Sequence, residues 1–518
     1  MERNTIPYWI ATTEDTNYPE LTDDINVDVG IVGGGLAGIT AAHLLKENGF
    51  KVAVIEADRI SKATTGHTTA KITSQHSLIY DKTIKTFGKE MAQQYADANQ
   101  HAIKFVRNLV KGNDIQCNFE DKSAYVFTYQ DPKYVEKIKK EAEAAASLGI
   151  SAQFVLETPL PFPVLGAVRF NDQAQFHPIK YALSLAKKIP GEGSHIFEGT
   201  RAVDIEEEKT CTIKTNKGKK VTARHVIIAS HYPFYDGKGM YFARMYPERS
   251  YLLAFKIEEI IPEGMFINVD TPGMTLRSQP HEGGQILLFG GESHKTAHGE
   301  QTSTHYENLR KLVRTIFTVK EELYHWSTQD YYTLDEIPYV GKLTSNTPNI
   351  YVATGFRKWG MTNAIAAAII IKDLIIKGES PWQDIYSPQR STTAKAAGTF
   401  ITQNADVAVQ LVSGKLENPD DHIDLGNGEG KVVEYKGKRT GAYKDRDGKL
   451  YLLDITCTHL GCELQWNDAE KSWDCPCHGS RFSYDGSIIE GPALYPLNHP
   501  DKGRNQVEPN VLTFKNLS

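Results

Sequence analysis

Four of the six cysteines in this 518-residue chain crowd into residues 457–480. They sit in two boxes, Cys457-Thr458-His459-Leu460-Gly461-Cys462 and Cys475-Pro476-Cys477-His478-Gly479-Ser480, separated by a gap of hairpin size. Each box offers an outer cysteine, a histidine and a further cysteine. Two thiolates on one iron and two imidazoles on the other would hold a [2Fe–2S] cluster. Two cysteines and two histidines could also hold one tetrahedral zinc ion. Zinc, however, has no use for a matched extra cysteine in each box, nor for the Gly-Ser ending. Cysteines confined to one window do not read as a scattered disulfide framework.

The paired boxes resemble the Rieske iron–sulfur domain, in the disulfide-bearing form of cytochrome bc-type complexes. The resemblance implies Cys457, His459, Cys475 and His478 as ligands and a disulfide between Cys462 and Cys477. Gly491-Pro492-Ala493 resembles the proline loop that covers such a cluster. Ser480 matches the serine that hydrogen-bonds a bridging sulfur. Phe482 stands where high-potential domains carry a tyrosine, so one hydrogen bond to a cysteine sulfur is missing. A potential below the top of the usual range, about −150 to +300 mV, is therefore expected.

A second fingerprint lies at the other end of the chain. Val27-Asp28-Val29-Gly30-Ile31-Val32 reads as a buried parallel strand. Gly33-Gly34-Gly35-Leu36-Ala37-Gly38 follows at once, then a helix over residues 39–48, then a strand over 51–55 ending at Glu56. In this βαβ setting G-x-G-x-x-G binds a dinucleotide. Gly33 permits the turn, Gly35 lets backbone approach a pyrophosphate at the helix N-terminus, and Gly38 allows close packing. Glu56 suits a ribose hydroxyl. No second fingerprint follows, which favours FAD alone over FAD with NAD.

The small, hydroxyl-rich loop at residues 60–70, with Thr65, His67 and Thr68, resembles that of the D-amino-acid oxidase/glycine oxidase superfamily of flavoproteins. A bacterial group within it fuses such a module to a C-terminal Rieske domain. The resemblance implies an α/β FAD-binding Rossmann-like domain with an inserted, mainly antiparallel β substrate domain, and a C-terminal all-β Rieske domain. It further implies adenine contact at Val203, and backbone amides of Gly360, Met361 and Thr362 at the flavin. His67 has an alternative role, since some relatives link FAD covalently through a histidine in this loop. Alternating stretches between residues 250 and 292 read as the substrate sheet. Arg249, Tyr251, Arg277 and His294 are candidates to face its cavity, each weighed against a structural role, because an arginine there could grip a substrate carboxylate. His177 reads as structural. Residues 81–111 and 131–148 show helical periodicity.

The expected organisation is a flavin module over residues 1–385, with FAD-binding segments near 25–80, 165–245 and 330–380. A linker over 386–412, partly helical, and a Rieske domain over 413–518 follow. Net charge is −6, with both signs interspersed and no basic run, which argues against nucleic-acid binding. The longest apolar run, residues 364–371, is too short to span a bilayer. No secretory h-region opens the sequence, so a cytoplasmic protein is expected. In Rieske oxygenases a mononuclear iron domain follows the cluster; here only residues 491–518 remain from the proline loop onward, so that class is set aside. The leading expectation is a flavin-dependent dehydrogenase of an amino acid, an amine or a 2-hydroxy acid. It would exchange electrons through the cluster with a one-electron carrier protein or quinone-type acceptor. The competing expectation is an electron relay or redox sensor with no small-molecule substrate of its own.

Overall fold

The computed structural model describes residues 5–299, 301–391, 394–413 and 424–502. The β-branched run expected at the N-terminal fingerprint forms the centre of a largely parallel sheet. Its strands run in the order Tyr339–Lys342, Ile350–Thr354, Lys220–Ile228, Ile25–Val32, Val52–Ile55, His195–Phe197. The inner strands are apolar on both faces, as a sheet covered on both sides requires. The fingerprint helix Leu36–Glu47 and the apolar helix Gly360–Lys377 pack together against it. Two glycines make the first turn possible. Gly33 has φ 108°, and a Cβ on Gly38 would lie 1.9 Å from the Gly33 carbonyl oxygen.

A second, mainly antiparallel sheet holds the strands Met245–Ile257, Met274–His281 and Gly284–Lys295, with Val319–Thr333 at its edge. This edge strand, the wall strand below, pairs with Met245–Ile257 along nearly its whole length. The helix expected over residues 81–111 is two helices, Tyr80–Phe87 and Lys89–Gly112. They break at Gly88, which takes a left-handed φ of 85°.

After residue 391, the helix Ala394–Ser413 occupies most of the expected linker. Val407 and Leu411 pack against the C-terminal core, while Asn404 Nδ2 donates to the Ala243 carbonyl of the flavin module. The C-terminal unit consists of a three-stranded antiparallel sheet, Gly430–Tyr435, Lys438–Lys444 and Leu450–Leu453, and a four-stranded one over Gln465–Asn467, Ser472–Asp474, Arg481–Ser483 and Ile488–Glu490. Trp473 is fully buried where the two meet. Of the Rieske expectation over 413–518, residues 414–423 and 503–518 lie outside the described residues. No helix among the described residues is long and apolar enough to cross a membrane.

Candidate functional site

A cavity of about 520 Å³ runs from the glycine fingerprint to the C-terminal unit. Gly33, Gly35, Leu36 and Ala37 line one end, with Glu56, Thr65 and His67. Gly360, Met361 and Ala364, from the N-terminus of the apolar helix, line its middle. Arg481 and residues 488–494 of the C-terminal unit close it.

Local hydrogen bonds shape the fingerprint end. Glu56 accepts from Gly34 N (2.8 Å) and Asp58 N (2.9 Å), and burial still pushes its carboxyl up. The Leu36 amide donates to Thr65 Oγ1 at 3.1 Å, tying the hydroxyl-rich loop to the helix start. His67 Nδ1 donates to the Ala63 carbonyl at 2.8 Å, since a carbonyl can only accept, which leaves Nε2 as the ring's acceptor. Helix N-terminus, glycine backbone and an acid at the end of the adjacent strand suit a dinucleotide.

At the far end the two cysteine–histidine boxes form matching loops. The Gly461 amide donates to the Cys457 carbonyl, and the Gly479 amide to the Cys475 carbonyl, each at 3.0 Å. Both glycines are left-handed, with φ 80° and 75°. A Cys462–Cys477 disulfide, S–S 2.03 Å, ties the loops together. That leaves Cys457 and Cys475 as buried free thiols. His459 and His478 face one another with ring centroids 5.1 Å apart. The Nδ1 atoms of both imidazoles are buried without a hydrogen-bond partner. Burial holds both rings neutral, bringing His478 down to about 4, as nitrogen ligands must be. Two orphaned imidazole nitrogens beside two free thiols fit a Rieske cluster, because a buried polar atom without a partner calls for one. Ser480 Oγ accepts from the Ala493 amide at 3.0 Å, which leaves its own proton free to donate to a cluster sulfur. Ser480→Ala should therefore lower the cluster midpoint potential; an unchanged redox titration would remove Ser480 from the tuning set.

The cluster loops seat on the wall strand. Tyr331 donates its hydroxyl to the carbonyls of His478 (3.0 Å) and Gly491 (3.1 Å), and Gln329 Nε2 donates to Gly479 O (2.8 Å). Phe242 and Tyr232 bring ring edges to His478 and His459. Beside this contact Arg249 meets Glu470 at 2.6 Å and Asp474 at 3.9 Å. Arg481 pairs with Glu470, Asp474 and Glu490. Successive residues of the wall strand face opposite sides. Ser327, Gln329 and Tyr331 bond the C-terminal unit, while Trp326 donates from Nε1 to the His67 carbonyl on the flavin side.

Several expected site residues lie elsewhere. Arg249, Tyr251, Arg277 and His294 do not line the cavity. Arg249 gives Nη2 to Glu470 and Ser327, with Nε and Nη1 buried and without hydrogen-bond partners. Arg277 donates to the carbonyls of Thr69, Ser278 and Phe176. Tyr251 and His294 stack on each other and on His305. Thr362 exchanges hydrogen bonds through its hydroxyl with the Thr73 backbone (2.9 and 2.8 Å), and Arg201 and Ala202, next to Val203, line the cavity. Gly38 packs closely against Gly33, the role expected of it, and Thr68 Oγ1 accepts from Ala70 N. His177 caps the helix Pro178–Ala186, a structural role. Sequence reading missed Gln329, Tyr331 and Asp330; the Tyr331-Tyr332 pair among polar residues was the available signal.

Comparison with known proteins agrees with this geometry. The model of FAD dependent oxidoreductases matches residues 28–374, and that of the Rieske [2Fe-2S] domain matches residues 420–501. A Bacillus subtilis (strain 168) protein described as a Rieske 2Fe-2S iron-sulfur protein, YhfW, is 44% identical over 495 residues, 95% of this chain and 97% of its own. Gamma-glutamylputrescine oxidoreductase of Escherichia coli (strain K12) is 24% identical over 75% of this chain and 92% of its own. Glycine oxidase from Geobacillus kaustophilus superposes with TM-score 0.60 at 18% identity, covering 71% of this chain and 99% of that one.

Proposed function

Because the chain belongs to the FAD dependent oxidoreductase family and carries a Rieske [2Fe-2S] domain, we propose that it dehydrogenates a small organic substrate and hands the electrons singly to an external carrier. Bound FAD would take two electrons as hydride, and the cluster would move them one at a time. The remaining work falls to the protein. Gly33, Gly35, Glu56 and Thr65 would position the dinucleotide. The amides of Gly360 and Met361, at the positive end of an 18-residue helix, would favour negative charge on the reduced ring. Cys457, Cys475, His459 and His478 would hold the cluster.

One observation carries the reading. A single strand, Val319–Thr333, forms part of the flavin cavity and also bonds the cluster loops through Gln329 and Tyr331. The two cofactors, bound as proposed, would share a wall within one chain, which suits internal electron transfer. Tyr331, on which the cluster loop seats, is only 1% exposed, so this contact is dry. The substrate would be an amine, an amino acid or a 2-hydroxy acid, and the acceptor a one-electron carrier protein or a quinone.

Anaerobic addition of candidate substrates to the FAD- and cluster-loaded protein tests this. Visible bleaching of the flavin followed by an EPR signal from the reduced cluster is the expected result. Reduction only by a carrier protein, with no response to any small molecule, would overturn it in favour of a relay.

A further inference from the structure

On the flavin side of the wall strand two polar groups lack partners. Thr328 Oγ1 is buried and makes no hydrogen bond. Asp330 lines the cavity and is 7% exposed, and no hydrogen bond reaches its carboxylate among the described residues. Both alternate with Ser327, Gln329 and Tyr331, which are occupied on the opposite face. Directly across the sheet Asp330 pairs with Glu248, so two acids stand side by side. Among the described residues the lysine that acts on Asp330 is Lys358, which lies 3.7 Å from the Glu248 carboxylate. Two carboxylates thus share one ammonium, and Asp330 is the one left over. Burial pushes its carboxyl up to about 8, against the weaker pull of Lys358, so without a cation it holds its proton at neutral pH and it ionises fully only when a cation arrives beside it.

Positive charge for an anionic substrate is scarce at this place. Arg249 and Arg277 are engaged elsewhere. Of the cationic residues that line the cavity, Arg481 is held by three acids, Lys62 by Asp15, and Arg59 by the Thr16 carbonyl. Arg201 sits beside Glu56 and Asp58, at the fingerprint end. Among the described residues that line the cavity, none offers a substrate carboxylate a free cation beside Asp330, and the acids Glu490 and Glu248 both act on that place.

We propose that Asp330 and Thr328 form the substrate anchor and that the substrate is a cationic amine, its protonated nitrogen lodged against the Asp330 carboxylate and the Thr328 hydroxyl. This deepens the dehydrogenase reading above and rests on it for the word substrate. The amine nitrogen supplies the missing positive charge and donates to both oxygens, satisfying two buried acceptors at once.

The FAD-loaded full-length protein is titrated anaerobically with n-butylamine and with butyrate, following the flavin absorption spectrum. Butylamine should give a saturable perturbation and butyrate none. Asp330→Asn should weaken butylamine by roughly tenfold or more, the worth of a charge-assisted hydrogen bond, at unchanged FAD content. Equal affinity in Asp330→Asn, or tighter binding of butyrate than of butylamine, overturns the anchor. Should Asp330→Asn fail to retain FAD, Thr328→Val carries the test: it must weaken butylamine, and unchanged affinity overturns the proposal. Bleaching separates the two readings. Asp330-dependent butylamine binding with no compound of any class bleaching the flavin supports the anchor and sinks the dehydrogenase. Bleaching by a 2-hydroxy acid that ignores Asp330→Asn does the reverse.

Discussion

Arg249→Ala should destabilise the protein by about 3–5 kcal/mol, the usual consequence of removing one partner from a buried ionic cluster. Arg249 is fully buried and faces Glu470 at 2.6 Å across the seam between the flavin module and the Rieske domain. Its loss leaves Glu470 and Asp474 to share Arg481 alone. The effect should be visible as a drop in melting temperature and as early exposure of the C-terminal unit to protease. Glu470 adds a pH signature. Burial pushes its carboxyl up, but Arg249 and Arg481 outweigh that and hold it at about 2, below its ordinary value of 4.5. A depressed acid stabilises fully above its unfolded pKa, and that share is lost as pH falls from 4.5 toward 2. Arg249→Ala should therefore flatten the acid limb of the stability profile, and Arg249→Ala with Glu470→Gln should recover part of the loss, since no unpaired charge remains there. A melting temperature within error of wild type would mean that the ionic cluster does not hold the seam.

The two cofactor sites were legible in sequence because each is local. A strand, a glycine turn, a helix and a terminal acid occupy some thirty consecutive residues, and the two cysteine–histidine boxes lie one hairpin apart. Backbone geometry at such sites is dictated by residues adjacent in the chain, so spacing alone carries the information. What joins the sites was not legible. The wall strand opens with Val319-Lys320-Glu321-Glu322, which reads as solvated surface, and its second half is buried on both faces, so hydrophobic alternation never appears. Arg249 shows the same limit. Its strand was recognised, yet which face an arginine serves depends on what docks against it, here Glu470 of a unit some 220 residues away. Asp330 was passed over because an isolated acid in a polar run has no pattern. Only its cross-strand neighbour Glu248 and the claimed Lys358 reveal its missing cation.

Gly479→Ala and Gly461→Ala should separate the seating of the cluster from the integrity of its loops. Both glycines occupy the same turn of matching loops at nearly the same left-handed φ, 75° and 80°. An alanine at either position therefore carries the same backbone cost, about 1–2 kcal/mol. Their surroundings differ. A Cβ at Gly461 meets nothing within 4 Å, whereas one at Gly479 would lie 2.8 Å from Gln329 Nε2 and 2.8 Å from Pro247 Cβ. Gln329 cannot simply swing away, because its amide also accepts from Thr296 Oγ1 at 2.9 Å. Nor can Pro247, which lies within the strand Met245–Ile257. The loop must then lift off the wall strand, stretching the bond from Tyr331 to the His478 carbonyl. Both variants should keep cluster absorbance and bleach normally with substrate. Gly479→Ala alone should slow reduction of the cluster by the reduced flavin, by up to about a hundredfold if the tip moves about an ångström. Rapid-mixing spectroscopy at flavin and cluster wavelengths reads both events in one trace. Equal cluster-reduction rates in the two variants would show that contact with the wall strand plays no part in electron delivery, and would move the route between the cofactors to another face of the Rieske domain.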